Sequence, residues 1–280
     1  MSEEIGNFAD GRYTVIRKLG SGFSSEVFLA IDESNDAKVA IKLADSRTAS
    51  DSNLVRRFEQ EILLLERFKH RNLVKHLNHG FQDGKPFLVM EFVEGLTLND
   101  WLKVNKSSKD IANLLLQLLE ALKYIHSNGV VHRDLKPANI IIIETMNGNH
   151  LKIIDFGFAR WLNGTERITM TGEIVGSPVY MGPEQIKGSD KIDNRCDFFT
   201  FGIIAFEAFT GRLPFIAPTP SETAYKIFSE SPPDFSELRP DLPKELANLI
   251  NKCLKKQPYQ RPHTADLIIA ELSAITEMLP

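Results

Sequence analysis

Four side chains between Val131 and Gly157 have the chemistry to hold a divalent cation that itself carries a polyphosphate: the carboxylates of Asp134 and Asp155, the carboxamide of Asn139 and the ammonium of Lys136. Hard oxygen donors suit such a cation, and a fixed ammonium suits the phosphate. Position follows from the sequence around them. Ile140-Ile141-Ile142-Ile143 and Leu151-Lys152-Ile153-Ile154 are β-branched or apolar runs flanking Asn147-Gly148-Asn149, which reads as a hairpin with its turn at those three residues. A hairpin returns the chain to where it started, so Asp134, Asn139 and Asp155 are expected to converge. Pro137 stiffens the loop before the first strand. The plainer alternative, a pair of merely polar loops, would leave those groups unanchored.

The order His132-Arg133-Asp134-Leu135-Lys136-Pro137-Ala138-Asn139 followed by Asp155-Phe156-Gly157 resembles the catalytic core of the protein kinases. The resemblance implies roles for these residues. Asp134 would orient the substrate hydroxyl and accept its proton, Lys136 would neutralise the γ-phosphate, and Asn139 and Asp155 would hold Mg²⁺. It also implies ATP as the phosphoryl donor.

The elements upstream fit the same resemblance. Tyr13 to Lys42 reads as β-structure around Leu19-Gly20-Ser21-Gly22-Phe23-Ser24-Ser25-Glu26-Val27. A glycine-rich turn between strands lets backbone N–H groups approach phosphates, because no Cβ stands in the way. Alone, Gly-x-Gly is a weak signal, and no helix follows it, which counts against a dinucleotide-binding turn. The third glycine of the kinase pattern is Ser25 here. Val39-Ala40-Ile41-Lys42 resembles the family's lysine-bearing third strand. Leu54, Phe58, Ile62, Leu65 and Phe68 recur at helical spacing over 53–68, marking an amphipathic helix. Glu61 borders that stripe, and the resemblance pairs it with Lys42; Glu59 is the fallback. In 73–77, His76 falls where relatives carry an apolar residue behind the helix. The reading is a neutral core histidine, or a one-residue slip onto Leu77.

Phe87-Leu88-Val89-Met90 and the following Glu91-Phe92-Val93-Glu94-Gly95 resemble the strand and hinge of a kinase. By resemblance Met90 backs the adenine pocket, the backbones of Glu91 and Val93 read the base, and Val27, Ala40 and Ile141 sandwich it. Each of those three is equally at home as a core residue. Downstream, 110–127 has a helical apolar stripe stopped at Gly129. A long polar stretch carries Arg160, Thr165, Arg167, Thr169, Thr171 and Ser177, and it closes with Gly176-Ser177-Pro178-Val179-Tyr180-Met181-Gly182-Pro183-Glu184. It resembles an activation segment of the serine/threonine style. Arg133 suggests control by a phosphate on that segment. Thr171 or Thr169 is the expected autophosphorylation site, while Glu173 stands where phosphate is usually received. Glu184 is expected to pair with Arg261, and Asp197 to brace the catalytic loop ahead of a buried helix over 198–209.

The whole chain sets the bounds. Its 280 residues are 42% hydrophobic and 25% charged with a formal net charge of −4, an ordinary globular balance that argues against a nucleic-acid binder. Cys196 and Cys253 lack metal-ligand spacing and fit a reducing, cytoplasmic compartment. The first 12 residues lack the apolar core of a signal peptide, and no apolar run reaches the ~20 residues needed to span a bilayer. The resulting expectation is an α+β, two-lobed protein kinase fold of the bacterial eukaryotic-type group. Residues 1–12 form an N-terminal extension to a kinase domain over 13–275. That domain comprises a small lobe over 13–90, an antiparallel sheet with one helix, then a hinge over 91–95 and a mainly helical lobe over 96–275. ATP is expected between the lobes. The implied partner is a protein bearing serine or threonine, with no nucleic acid and no membrane segment, acting as a monomer or transient dimer. The competing readings are a scaffold with this fold and no turnover, or a small-molecule phosphotransferase.

Overall fold

The computed structural model describes residues 8–22, 25–104, 106–157, 159–161, 178–189 and 192–280. The chain divides into two compact units, Met1–Glu94 with Asp155–Phe158, and Gly95–Ile154 with Ala159–Pro280. The architecture is α+β.

In the first unit, β1 (Tyr13–Ser21), β2 (Ser25–Asp32) and β3 (Ala37–Ala44) are followed by the short helix α1 (Ser46–Ser50), α2 (Ser52–Arg67), β4 (His76–Gln82) and β5 (Lys85–Glu91). The five strands form one antiparallel sheet in the order β1-β2-β3-β5-β4. Alternation drives this: Phe28, Ala30, Val39, Ile41, Phe87 and Val89 line one buried face together with Phe8 and Tyr13, as expected when strand side chains alternate between faces. Phe8, within the expected extension, meets Phe28 and Phe87 at ring-centroid distances of 6.0 and 5.9 Å. Helix α2 begins at Asp51, whose side chain caps the N–H groups of Asn53 and Leu54. It buries Phe58, Glu61, Ile62, Leu64 and Leu65, the expected apolar stripe with one carboxylate inside it.

The second unit starts with β6 (Leu96–Thr97), α3 (Leu98–Leu102), the long α4 (Ser108–Ser127) and β7 (Val130–Val131). Next come β8 (Ile140–Thr145), β9 (Gly148–Ile153), β10 (Arg160–Trp161), α5 (Pro183–Ile186) and α6 (Arg195–Thr210). The unit closes with α7 (Pro220–Ser229), α8 (Phe235–Leu238), α9 (Lys244–Cys253) and α10 (Ala265–Thr276). Helix α4 stops as expected, Gly129 adopting φ +72°. Helix α6 buries nearly every side chain from Cys196 to Phe206, so it is a core rod. At Gly202 a Cβ would lie 2.9 Å from the Cβ of Cys253; glycine is what lets α6 approach α9.

Two sequence expectations shift. The β8–β9 hairpin exists, but Thr145 pairs with Gly148, so its two-residue turn is Met146-Asn147, earlier than Asn147-Gly148-Asn149. Gly148 takes φ +110° and Met146 points into solvent, the geometry glycine makes easy at a hairpin end. The strand expected over 73–77 begins only at His76, and His76 is half-buried rather than a core residue, while Leu77 is 41% exposed. Among the described residues no helix is long and apolar enough to cross a membrane.

Candidate active site

Strand β3 delivers Lys42 and helix α2 delivers Glu61 to one point in the first unit. Lys42 Nζ donates to both Glu61 carboxylate oxygens at 2.7 Å and to Asp155 Oδ1 at 2.8 Å. The register of β3 explains the lysine's direction: Lys42 lies opposite Val27 on one side and Leu88 on the other, and its side chain is only 11% exposed. Burial alone would lower its pKa, but the charges and hydrogen bonds of Asp155 and Glu61 outweigh burial and hold it above the ordinary lysine range. Glu61, only 2% exposed, is pushed up by burial, with Lys42 opposing and Asp155 adding to the rise. Beyond the lysine, Phe156 N–H donates to Glu61 Oε1 at 3.4 Å and Gly157 N–H to Asp155 Oδ1 at 3.2 Å. Phe156 is buried against Phe68, with ring centroids 5.6 Å apart. Glu61 rather than Glu59 is therefore the partner.

The glycine-rich turn joins β1 and β2. Gly20 pairs with Val27 across the ladder, and Gly22 N–H donates to Ser25 O at 2.7 Å. Ser25, in the place of a third glycine, is buried. Leu19, Ser21 and Glu26 flank the turn on the two paired strands; Phe23 and Ser24 lie outside the described residues. Further along the sheet, Ala40 lies opposite Met90, which is buried. Glu91 N–H donates to Lys75 O at 3.0 Å, so that N–H is committed at the end of β5. Val93 follows β5 in the same unit.

In the second unit the loop between β7 and β8 is tightly braced. Asp197, the first-turn acid of α6, accepts His132 N–H and Arg133 N–H, each at 2.9 Å, and faces His126 Nε2 at 2.8 Å. Burial would raise the Asp197 carboxyl, but the bonds from His126 and the loop outweigh burial and hold it below the usual range. This brace keeps Arg133 at φ +66°, a conformation costing a non-glycine residue about 1 kcal/mol or more. Gln185 Nε2 donates to Arg133 O at 2.7 Å, clamping the same peptide from α5.

The strained turn presents Asp134. Lys136 Nζ donates to Asp134 Oδ2 at 2.8 Å, and Asn139 Nδ2 lies 3.1 Å from Asp134 O and 3.4 Å from Asp134 Oδ2. Asn139 O in turn accepts Ile154 N–H at 3.0 Å, fastening the loop to the residue before Asp155. Ile141 follows on β8, almost buried. Gly95 has no room for a side chain, since a Cβ would lie 2.3 Å from Ile142 O.

Arg261 is fully enclosed and uses all its donors: two on Glu184 at 2.6 and 2.8 Å, and three on the carbonyls of Lys255, Arg195 and Lys256. The expected Glu184–Arg261 pair is thus present. Thr165, Arg167, Thr169, Thr171, Glu173 and Ser177 lie outside the described residues. Reading the sequence did not foresee the His126–Asp197 contact, the Gln185 clamp or the positive φ at Arg133. Their partners lie dozens of positions away, and no local pattern marks them.

Each candidate ligand has the chemistry magnesium favours: in the second unit Asn139 spends its amide nitrogen on Asp134, which leaves its amide oxygen as a hard donor atom, and in the first unit Asp155 offers a carboxylate.

The family model described as the protein kinase domain matches residues 13–272. The serine/threonine-protein kinase PrkC of Bacillus subtilis is 35% identical over 270 residues, covering 96% of this chain and 41% of that protein. The serine/threonine-protein kinase pkn2 of Myxococcus xanthus is 35% identical over 280 residues, covering 97% of this chain and 34% of that protein. The chain thus spans well under half the length of these curated relatives. A solved structure, the PknI kinase domain of Mycobacterium tuberculosis, shares the fold with a TM-score of 0.72 at 23% identity, covering 95% of this chain and 96% of that one. The chain belongs to the protein kinase domain family.

Proposed function

We propose that this chain transfers the γ-phosphoryl group of ATP to serine or threonine hydroxyls of a protein substrate. The observation that carries the reading is the buried Lys42–Glu61–Asp155 cluster, at 2.7–2.8 Å, in a family member that also keeps the hydrogen-bonded Asp134, Lys136 and Asn139. Both the serine/threonine class and the protein substrate are named for the relatives.

Lys42 holds the α- and β-phosphates, exchanging its bond to Asp155 for phosphate oxygens while Glu61 keeps it in place. The backbone of the turn from Leu19 to Val27 covers the phosphates. Adenine is taken by the carbonyl side of Glu91, the backbone of Val93 and the apolar surfaces of Val27, Ala40, Met90 and Ile141. Asn139 and Asp155 would hold Mg²⁺, which when bound would neutralise the charge of the phosphates during transfer. Asp134 Oδ2 is committed to Lys136 and Asn139, which assigns Oδ1 to the substrate hydroxyl; there it orients the nucleophile and takes its proton. Lys136 then screens the transferring phosphoryl group. Positioning and charge neutralisation supply the catalysis.

The domain would run over 13–275 with residues 91–95 as its hinge, in a cytoplasmic protein acting as a monomer or transient dimer. Thr169 or Thr171 would be autophosphorylated. Incubation with labelled ATP and Mg²⁺, alone and with a generic basic protein, followed by phosphoamino-acid analysis, tests the reading. Phosphoserine or phosphothreonine is expected. Asp134→Asn should cut turnover by about 10²–10⁴-fold and leave nucleotide affinity within a few-fold. Nucleotide binding with no transfer by the unaltered protein would make it a scaffold, and an unchanged rate in Asp134→Asn would remove Asp134 from the mechanism. Intact-mass analysis of the active protein checks the loop: no added phosphate sinks autophosphorylation.

A further inference from the structure

Away from these residues, the first unit gathers two histidines and a glutamate. Glu66 belongs to the last turn of α2, His76 opens β4, and His79 lies three residues along that strand. His76 Nε2 and His79 Nδ1 are 3.2 Å apart, and His79 Nδ1 is 3.4 Å from Glu66 Oε1. One ligand atom from each residue falls within 4.8 Å of the other two.

Strand geometry alone would not do this. Residues three apart on a regular strand face opposite sides. The β4–β5 ladder has a register shift between His76 and Asn78, and such a bulge re-aims side chains. It brings both imidazoles round to the helix, with ring centroids 5.3 Å apart.

Two of the three spacings match the edge of a coordination tetrahedron, and the third pair, His76 and Glu66, lies within 4.8 Å. Ligands about 2.0–2.1 Å from zinc stand about 3.3 Å from one another along each edge, against the 3.2 and 3.4 Å found. The hydrogen-bonded alternative is poorer, because a single His79 Nδ1 faces both the His76 ring nitrogen and a carboxylate. Two nitrogens and one carboxylate oxygen are a donor set that favours zinc-class ions over Mg²⁺.

We propose that Glu66, His76 and His79 form a binding site for a divalent transition-metal ion of the zinc class, which clamps the last turn of α2 to β4. Water would complete the tetrahedron. Glu66 lies five residues after Glu61 on the same helix, so the clamp would restrain the element that carries the partner of Lys42. That consequence for turnover rests on the kinase reading; the binding does not.

The test is calorimetric titration of Zn²⁺ into the tag-free, nucleotide-free chain, with Co²⁺ substitution followed by visible absorption. One ion per chain and the intense bands of four-coordinate cobalt are expected. His79→Ala and Glu66→Gln, both changes at exposed side chains, should each weaken binding more than about tenfold. Hydrogen exchange with Zn²⁺ present should slow in the end of α2 and the start of β4. Absence of binding at micromolar Zn²⁺, or equal affinity in both variants, overturns the site. Binding with no change in exchange overturns the clamp. None of these readouts involves phosphoryl transfer, so failure here leaves the proposed activity standing, and the reverse.

Discussion

Lys42 shows how a single charge governs its surroundings. Its ammonium is shared by a carboxylate that is 2% exposed and another that is 33% exposed. Removing one member of a buried ion pair costs about 3–5 kcal/mol, because the partner is left uncompensated. Lys42→Met should fall at the low end, about 3 kcal/mol, since Asp155 still meets solvent and burial already predisposes Glu61 to take up a proton. Urea unfolding of the variant checks this, and a loss of nucleotide affinity should accompany it. Arg261 is a different case. Its five donors meet two carboxylate oxygens and three carbonyls in fixed directions, and a lysine ammonium has neither the plane nor the reach to replace that fork. Arg261→Lys should therefore lower the melting temperature nearly as much as Arg261→Ala, by several degrees in calorimetry.

At the scale of elements, the strand ends report on pH. Arg12 forms a two-pronged contact with Asp32, joining the start of β1 to the end of β2. The Arg12 hydrogen bond, with help from Ser34, holds the Asp32 carboxyl at about 2 against an opposing burial effect. An unfolded aspartate titrates near about 3.9. Because the folded value is the lower, the stability from this contact is complete above about pH 4 and is lost as the pH falls through about 2. In Arg12→Gln the carboxyl pKa, followed by carbon NMR, should move up toward the ordinary value. A carboxyl that stays near 2 would show that Ser34 alone sets it.

For the molecule as a whole, the two thiols are structural. Burial pushes Cys253 up to about 12 and Cys196 well above the ordinary thiol range, so neither is a thiolate at pH 8. A disulfide-exchange reagent should count no reactive thiol in the native protein and two in guanidinium. Rapid reaction of either before unfolding would contradict the packing of α6 against α9, where Cys253 abuts Gly202.

Local pattern was enough for much of this protein. The helical stripe from Leu54 to Phe68 and the β-branched runs around the second hairpin carry their meaning in spacing, because a period of 3.6 or 2 dictates which side chains share a face, while the ordered motifs from Gly20 to Arg261 carry theirs by resemblance to the protein kinases. Glu61 borders that stripe, and the resemblance to the protein kinases is what singled it out over Glu59 as the partner of Lys42. Contacts set by long-range packing had no such signature. The turn at Met146-Asn147 depended on ladder register, the clamp on Arg133 O on a glutamine 52 positions away, and the exposure of His76 on a bulge in β4. The meeting of His76, His79 and Glu66 needed the bulge and the helix at once. Sequence spacing cannot carry such contacts, since each is decided by where two separately formed elements come to rest against each other.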